Sequence, residues 1–193
     1  MKLIIASNNA HKLEEIRAIL GGAFEQILSL REAGIEHETV EDGVTFAENA
    51  AKKAREIAEI SGCCALADDS GLCVDALGGA PGIYSARYSG KGDRENNIKL
   101  LSELEGKEDR GAGFVCVMSA VFPDGRIVTA RGEVRGTILT APRGDDGFGY
   151  DPLFYCPELG KSFAEASADE KNAVSHRGRA LAAICEKLRK ILC

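Results

Sequence analysis

Asp68 and Asp69 constrain this chain more than any other residues. An apolar run, Cys63 to Ala67, breaks into Asp68-Asp69-Ser70-Gly71 and resumes as Leu72-Cys73-Val74. That pattern predicts two strands with adjacent carboxylates at the break between them. Carboxylates beside buried strands are costly unless they are paired, hydrogen-bonded or bound to a cation. The placement asks for a charged partner, and a divalent metal with a phosphate-bearing ligand is one that fits. The same four residues also make an ordinary β-turn, because Asp and Ser bond their own backbone and Gly accepts positive φ. The local sequence leaves both open.

With 193 residues, 45% of them hydrophobic, the chain can bury a sizeable core, and residues 1–193 are expected to form a single domain. A net charge of -6 and a pI near 5.2 argue against direct nucleic-acid binding, which needs a basic surface to displace counterions. A small anionic ligand needs only a local basic pocket. Seven cysteines, with Cys63 and Cys64 side by side in an apolar run, read as reduced thiols in a cytoplasmic protein. The first residues lack a cleavable-leader pattern, and no apolar run approaches the roughly 20 residues that span a bilayer, so no membrane association is expected.

Lys2 to Ala6 predicts a strand, and Ala10 to Leu20 a helix with Leu13, Ile16 and Leu20 on one face. A second helix is expected from Phe46 to about Ser61: Thr45 and Glu48 have capping-box spacing, Gly62 is placed to end it, and Ala50, Ala54, Ile57 and Ala58 form its inward stripe. Asp93 is expected to cap a third, structural helix carrying Ile98, Leu101 and Leu104 inward. Phe114 to Phe122 and Ile127 to Val134 flank Pro123-Asp124-Gly125-Arg126, which predicts an antiparallel hairpin and so a mixed sheet. Ser167 and Glu170 repeat the capping-box spacing, and Ala180 to Leu192 is amphipathic. One α/β unit results, with the Gly/Pro/Asp-rich stretch 141–152 as a candidate binding loop.

Three further clusters carry candidate chemistry. Ser7-Asn8-Asn9-Ala10-His11-Lys12 joins a strand to a helix, where backbone N–H groups, the positive helix end and a lysine can converge on an anion. Helix capping by Asn8 or Asn9 explains the same residues, and the spacing is not that of a Walker A loop. Gly147-Phe148-Gly149-Tyr150-Asp151-Pro152 fails as a dinucleotide fingerprint, because its sixth residue is Pro and no helix follows. It reads either as a loop that holds a planar base or as a glycine-rich turn with both rings in the core. Asp169 to Asn172 and Ser175 to Arg179 gather cationic side chains suited to oxygen-rich ligands, with a solvated face as the plain alternative, above all for Arg179. No HExxH, CxxC or Gly-x-Ser-x-Gly pattern supports a zinc site or a serine hydrolase.

Taken in register, Ser7-Asn8-Asn9 with Lys12, Thr45 to Ala50 with Lys53, Ala67 to Leu72, Ala80 to Tyr88, Gly147 to Pro152 and Ser175 to Gly178 resemble the inosine triphosphatase family. The matches run in order over nearly the whole chain. The resemblance implies a Mg²⁺-dependent hydrolase of non-standard purine nucleoside triphosphates, dITP, ITP, XTP and dXTP, which yields the monophosphate and pyrophosphate. It also implies a homodimer, and an elongated mixed β-sheet flanked by helices, in two lobes with an intervening substrate cleft. Carried over by position, Ser7, Asn8, Asn9, Ala10, His11, Lys12 and Lys53 hold phosphates. Glu41 and Asp69 sit at the metal, Asp69 is also the general base, and Ser70 contacts substrate. Phe148, Gly149, Tyr150, Asp151, Lys171, His176 and Arg177 form the base end. Asp68 keeps three possible roles: metal ligand, loop hydrogen bond, or tuning of its neighbour.

The chemistry agrees with that assignment, since Mg²⁺ needs only one or two carboxylates besides phosphate oxygens and water. Two alternatives stand: a pyrophosphatase for pyrimidine or modified-base triphosphates, and a nucleotide-binding sensor without turnover. Acidic groups beside a phosphate serve a pure binder only if they hold metal.

Overall fold

The computed structural model describes residues 1–8, 13, 14, 16, 17, 20 and 22–192. Among the described residues, seven strands, β1 (Lys2–Ile5), β2 (Gln26–Ser29), β3 (Cys64–Val74), β4 (Gly111–Val121), β5 (Ile127–Ile138), β6 (Phe154–Cys156) and β7 (Lys161–Ser162), form one sheet in the order β2-β1-β3-β4-β5-β6-β7. The sheet is mixed. β1 runs parallel to β2 and β3, whereas β6 is antiparallel to β5 and β7. Among the described residues, the α-helices with defined bounds are α1 (Phe46–Ser61), α2 (Asp93–Glu103), α3 (Ala168–Val174) and α4 (His176–Leu192). Among the described residues, no helix is long and apolar enough to cross a membrane.

α1 begins and ends where local chemistry dictates. Thr45 accepts from the Glu48 N–H, and Gly62 takes the left-handed conformation (φ 64°) that closes the last turn. The reciprocal half of the capping box is shifted by one residue, because the Glu48 carboxylate accepts from the Val44 N–H at 2.7 Å. Of the expected first helix, the described residues Leu13, Glu14, Ile16, Arg17 and Leu20 are helical, with Leu13, Ile16 and Leu20 buried; its remaining residues lie outside the described set.

Three local expectations are corrected. β3 does not break at Asp68-Asp69-Ser70-Gly71; it continues for 11 residues, and the β-turn is absent. The N-cap of α2 is Gly92, with Asp93 the first helical residue. Ile98 is 57% exposed, because Asn96 and Leu100 face inward in its place.

The chain divides into two compact units. The first comprises Met1–Asp69, Val117–Arg131 and Ala180–Cys193, and the second Ser70–Cys116 and Gly132–Arg179. Core residues of the first include Ile4, Ala54, Ile57, Ala58, Ala65, Ala67 and Val121. In the second, Phe154 packs against Phe114 and Phe163, with ring centroids 4.7 and 4.9 Å apart, among Leu72, Leu100 and Val134. Burying each such ring contributes roughly 2–3 kcal/mol.

Candidate active site

In the first unit, the site grows from one face of α1. Asn49 and Lys53 are four residues apart and so share that face. Asn49 is wholly buried, and its amide nitrogen donates to Asp69 Oδ2 at 3.1 Å. The Lys53 ammonium donates to Glu41 Oε1 at 2.7 Å and lies 3.8 Å from Asp69 Oδ1. Asp69 is only 8% exposed, so its charge is compensated by an amide and an ammonium rather than by bulk water.

Glu41 belongs to an irregular segment, and a row of polar contacts ties that segment along α1. His37 and Thr39 meet Glu56 at 2.7 and 2.6 Å, Lys52 donates to Asp42 at 2.6 Å, and the Gly43 N–H donates to Asn49 Oδ1 at 2.8 Å. The hydrogen bond from His37, then that from Thr39, holds the Glu56 carboxyl below its usual range. A Cβ on Gly43 would lie 2.6 Å from Asn49 Oδ1, so only glycine permits this approach. Asn49 therefore fixes Asp69 with one end and the Glu41 segment with the other. Among the described residues, no group of three or more His, Cys, Asp or Glu side chains is arranged for a metal; Glu41 and Asp69 share the Lys53 ammonium.

Asn9, Ala10, His11 and Lys12 lie outside the described residues. Ser7 is half-buried, and Asn8 is exposed with its Oδ1 accepting from the Arg31 N–H at 2.9 Å. The Asn8 side chain thus braces the turn after β2.

In the second unit, a cavity of about 140 Å³ is lined by Ser70, Phe114, Phe148, Tyr150, His176 and Arg177, among others. Of the two aromatic residues of the 147–152 loop, one is in the core and one is not. Tyr150 is core, its hydroxyl donating to Ser85 O at 2.8 Å and its pKa pushed up by burial, whereas Phe148 is 60% exposed. Lys171 Nζ lies 4.4 Å from the Phe148 ring centroid and Arg177 Cζ 5.9 Å from it. Lys171 also pairs with Asp151, which is 2% exposed and accepts from the Phe148 N–H at 2.9 Å. Arg177 Nη2 reaches Ser70 Oγ at 3.4 Å.

The run Ser175-His176-Arg177-Gly178 has a local logic. Ser175 Oγ accepts from the Gly178 N–H at 3.1 Å, which starts α4 four residues earlier than the apolar pattern suggests. His176 then stacks on Phe114, with centroids 4.9 Å apart and planes at 13°. A Cβ on Gly178 would meet Asn172 O at 2.3 Å, so glycine lets α4 start against α3.

The sequence profile of the Ham1 family matches residues 3–187. The chain belongs to the Ham1 family. A dITP/XTP pyrophosphatase of Clostridium perfringens is 53% identical over 201 residues, covering 99% of this chain and 98% of the relative. One of Geobacter sulfurreducens is 53% identical over 191 residues, covering 97% and 96%. Among solved structures, the Staphylococcus aureus Ham1 protein superposes with a TM-score of 0.92 at 40% identity, covering 99% of this chain and 100% of that one. A nucleoside-triphosphatase, dITP/XTP pyrophosphatase, of Mycobacterium abscessus gives a TM-score of 0.82 at 43% identity, covering 95% and 97%.

Within this Ham1-family chain, the structure gathers Glu41, Lys53 and Asp69 in one unit, and Ser70, Phe148, Asp151, Lys171, His176 and Arg177 in the other. Sequence reading did not single out Asn49, Asp93 or Asn97, which hydrogen-bond to Asp69 and to the Gly149 backbone. Asn49 carried a signal, a polar residue inside the apolar stripe of Ala50, Ala54 and Ile57. Asp93 lines the cavity and accepts from the Gly149 N–H at 2.8 Å.

Proposed function

We propose that residues 1–193 work as one pyrophosphatase domain that hydrolyses non-standard purine nucleoside triphosphates (dITP, ITP, XTP and dXTP) to the monophosphate and pyrophosphate, clearing them before they enter DNA or RNA. The observation that carries this proposal is the convergence of Glu41 and Asp69 on Lys53. Two carboxylates drawn to one ammonium suit a divalent cation, and for Mg²⁺ two are enough when phosphate oxygens and water complete the octahedron. Glu41 and Asp69 would hold it. Bound there, Mg²⁺ neutralises phosphate charge and makes water more acidic.

Lys53 offsets charge that moves onto the pyrophosphate leaving group, because electrostatic stabilisation dominates phosphoryl transfer. Ser7 to Lys12 add phosphate donors at the other side of the same task. Asp69 takes a proton from the attacking water: Asn49 fixes its Oδ2, and Oδ1 accepts. The same proposal includes a homodimer acting in the cytoplasm.

For the base, Phe148 offers a stacking face and Lys171, His176 and Arg177 offer donors to the 6-oxo group of hypoxanthine or xanthine. The backbone N–H groups of Phe148 and Gly149 donate to Asp151 and Asp93. Adenine presents an amino group at that position, donor against donor. Incubation of dITP with the protein, with Mg²⁺ and then with EDTA, tests the proposal: equimolar dIMP and pyrophosphate should appear only with the metal, and binding without turnover would favour the sensor alternative.

A further inference from the structure

Phe148 is flanked by two glycines in left-handed conformations, Gly147 (φ 83°) and Gly149 (φ 60°). Such a segment gives up much conformational entropy when it is held in one shape. An exposed ring on that backbone needs an anchor if it is to be ready for a ligand. The first two turns of α2 supply one. Asp93 Oδ2 accepts from the Gly149 N–H at 2.8 Å, and Asn97 Nδ2 donates to Gly149 O at 2.9 Å. Asp93 and Asn97 are four residues apart and therefore lie one above the other on the same helix face. Between them they engage both polar backbone groups of one glycine. With the Asp151 carboxylate accepting from the Phe148 N–H and the Asp151 N–H donating to Phe148 O, four consecutive backbone groups are tied down around the ring.

We propose that Asp93 and Asn97 are positioning residues that latch the Phe148–Gly149 backbone to α2, so that the Phe148 ring is presented to the purine base in its binding orientation before substrate arrives. The latch rests on the base-site role of Phe148 proposed above. Both side chains hold the Gly149 backbone rather than any reacting atom, so losing either weakens substrate binding and leaves the hydrolytic step intact. Asp93 is exposed and contributes at the low end of the range for such bonds, while the Asn97 contact is half-buried.

Steady-state kinetics on dITP with Asp93→Ala, Asn97→Ala, Asp93→Asn, Phe148→Ala and the doubles Asp93→Ala/Phe148→Ala and Asn97→Ala/Phe148→Ala test the latch. Either alanine alone should raise KM about three- to tenfold with kcat within about twofold of wild type, the size expected for losing one side-chain to backbone bond. Asp93→Asn should stay near wild type, because its amide oxygen accepts the same N–H. In the Phe148→Ala background, the Asp93 and Asn97 effects should shrink below about twofold, the coupling expected of residues that act through one ring. An unchanged KM in both alanine variants, or losses as large without Phe148 as with it, would overturn the latch while leaving the base site standing. A wild-type KM in Phe148→Ala alone would overturn the base site, and the latch with it.

Discussion

The Asn49 amide donates to Asp69 Oδ2 at 3.1 Å while its carbonyl oxygen accepts from the Gly43 N–H at 2.8 Å, so one buried side chain sets both the proposed general base and the segment that bears Glu41. Asn49→Ala removes both contacts from a fully buried position. A loss of about 2–3 kcal/mol in stability is expected, with kcat down roughly tenfold as Asp69 loses its fixed orientation. Urea unfolding and dITP turnover check the two effects separately. Full activity in the folded variant would remove Asn49 from the site.

Asp69→Asn should fold normally and lose about a hundredfold or more in kcat, since the amide is nearly isosteric but cannot accept the proton. Glu41→Gln should instead shift the Mg²⁺ dependence of the rate to higher concentration. A near-normal kcat in the first variant, or an unchanged metal titration in the second, would count against the assigned role.

Lys53→Ala should weaken triphosphate substrates far more than the corresponding nucleoside, because the ammonium addresses phosphate charge and not the base. Binding of dITP and of deoxyinosine by calorimetry separates the two. Equal losses for both would contradict a phosphate role.

Glu32 gives a stability signature in acid. The Ser29 backbone N–H foremost, and then Arg17, hold its carboxyl at about 2, below an ordinary 4.5. A depressed carboxyl pKa stabilises the fold above the unfolded value, and that stabilisation is lost as pH falls from about 4.5 toward about 2. The Tm gap between wild type and Glu32→Gln should therefore narrow from pH 6 to pH 2.5. A gap that stays constant would show that the Ser29 and Arg17 contacts do not favour the charged form.

Much of the fold is legible locally. Thr45, Glu48 and Gly62 bound α1, and Ser167 with Glu170 bound α3, because caps act within one turn of chain. β3 is the instructive failure. Asp-Asp-Ser-Gly has turn chemistry, yet the strand runs on, because β3 sits between β1 and β4 and Asp69 finds Asn49, 20 residues away in sequence. Ile98 misled in the same way: its spacing to Leu101 fits one helical face, but Asn96 earns the buried position by bonding Ser85 O and Ala86 O. The Glu41 segment has no periodicity to read, since its place is set by side-chain contacts to α1.

The central claim is selective hydrolysis of 6-oxo purines that lack the 2-amino group. It is tested most directly by kcat/KM for pyrophosphate release from dITP, XTP, dGTP, dATP and dTTP in saturating Mg²⁺. Donors facing O6 predict dITP and XTP first, dGTP lower because its 2-amino group lacks an acceptor, and dATP poorest of the purines by roughly a hundredfold or more. Comparable rates for dITP and dATP, or a preference for dTTP, would contradict it.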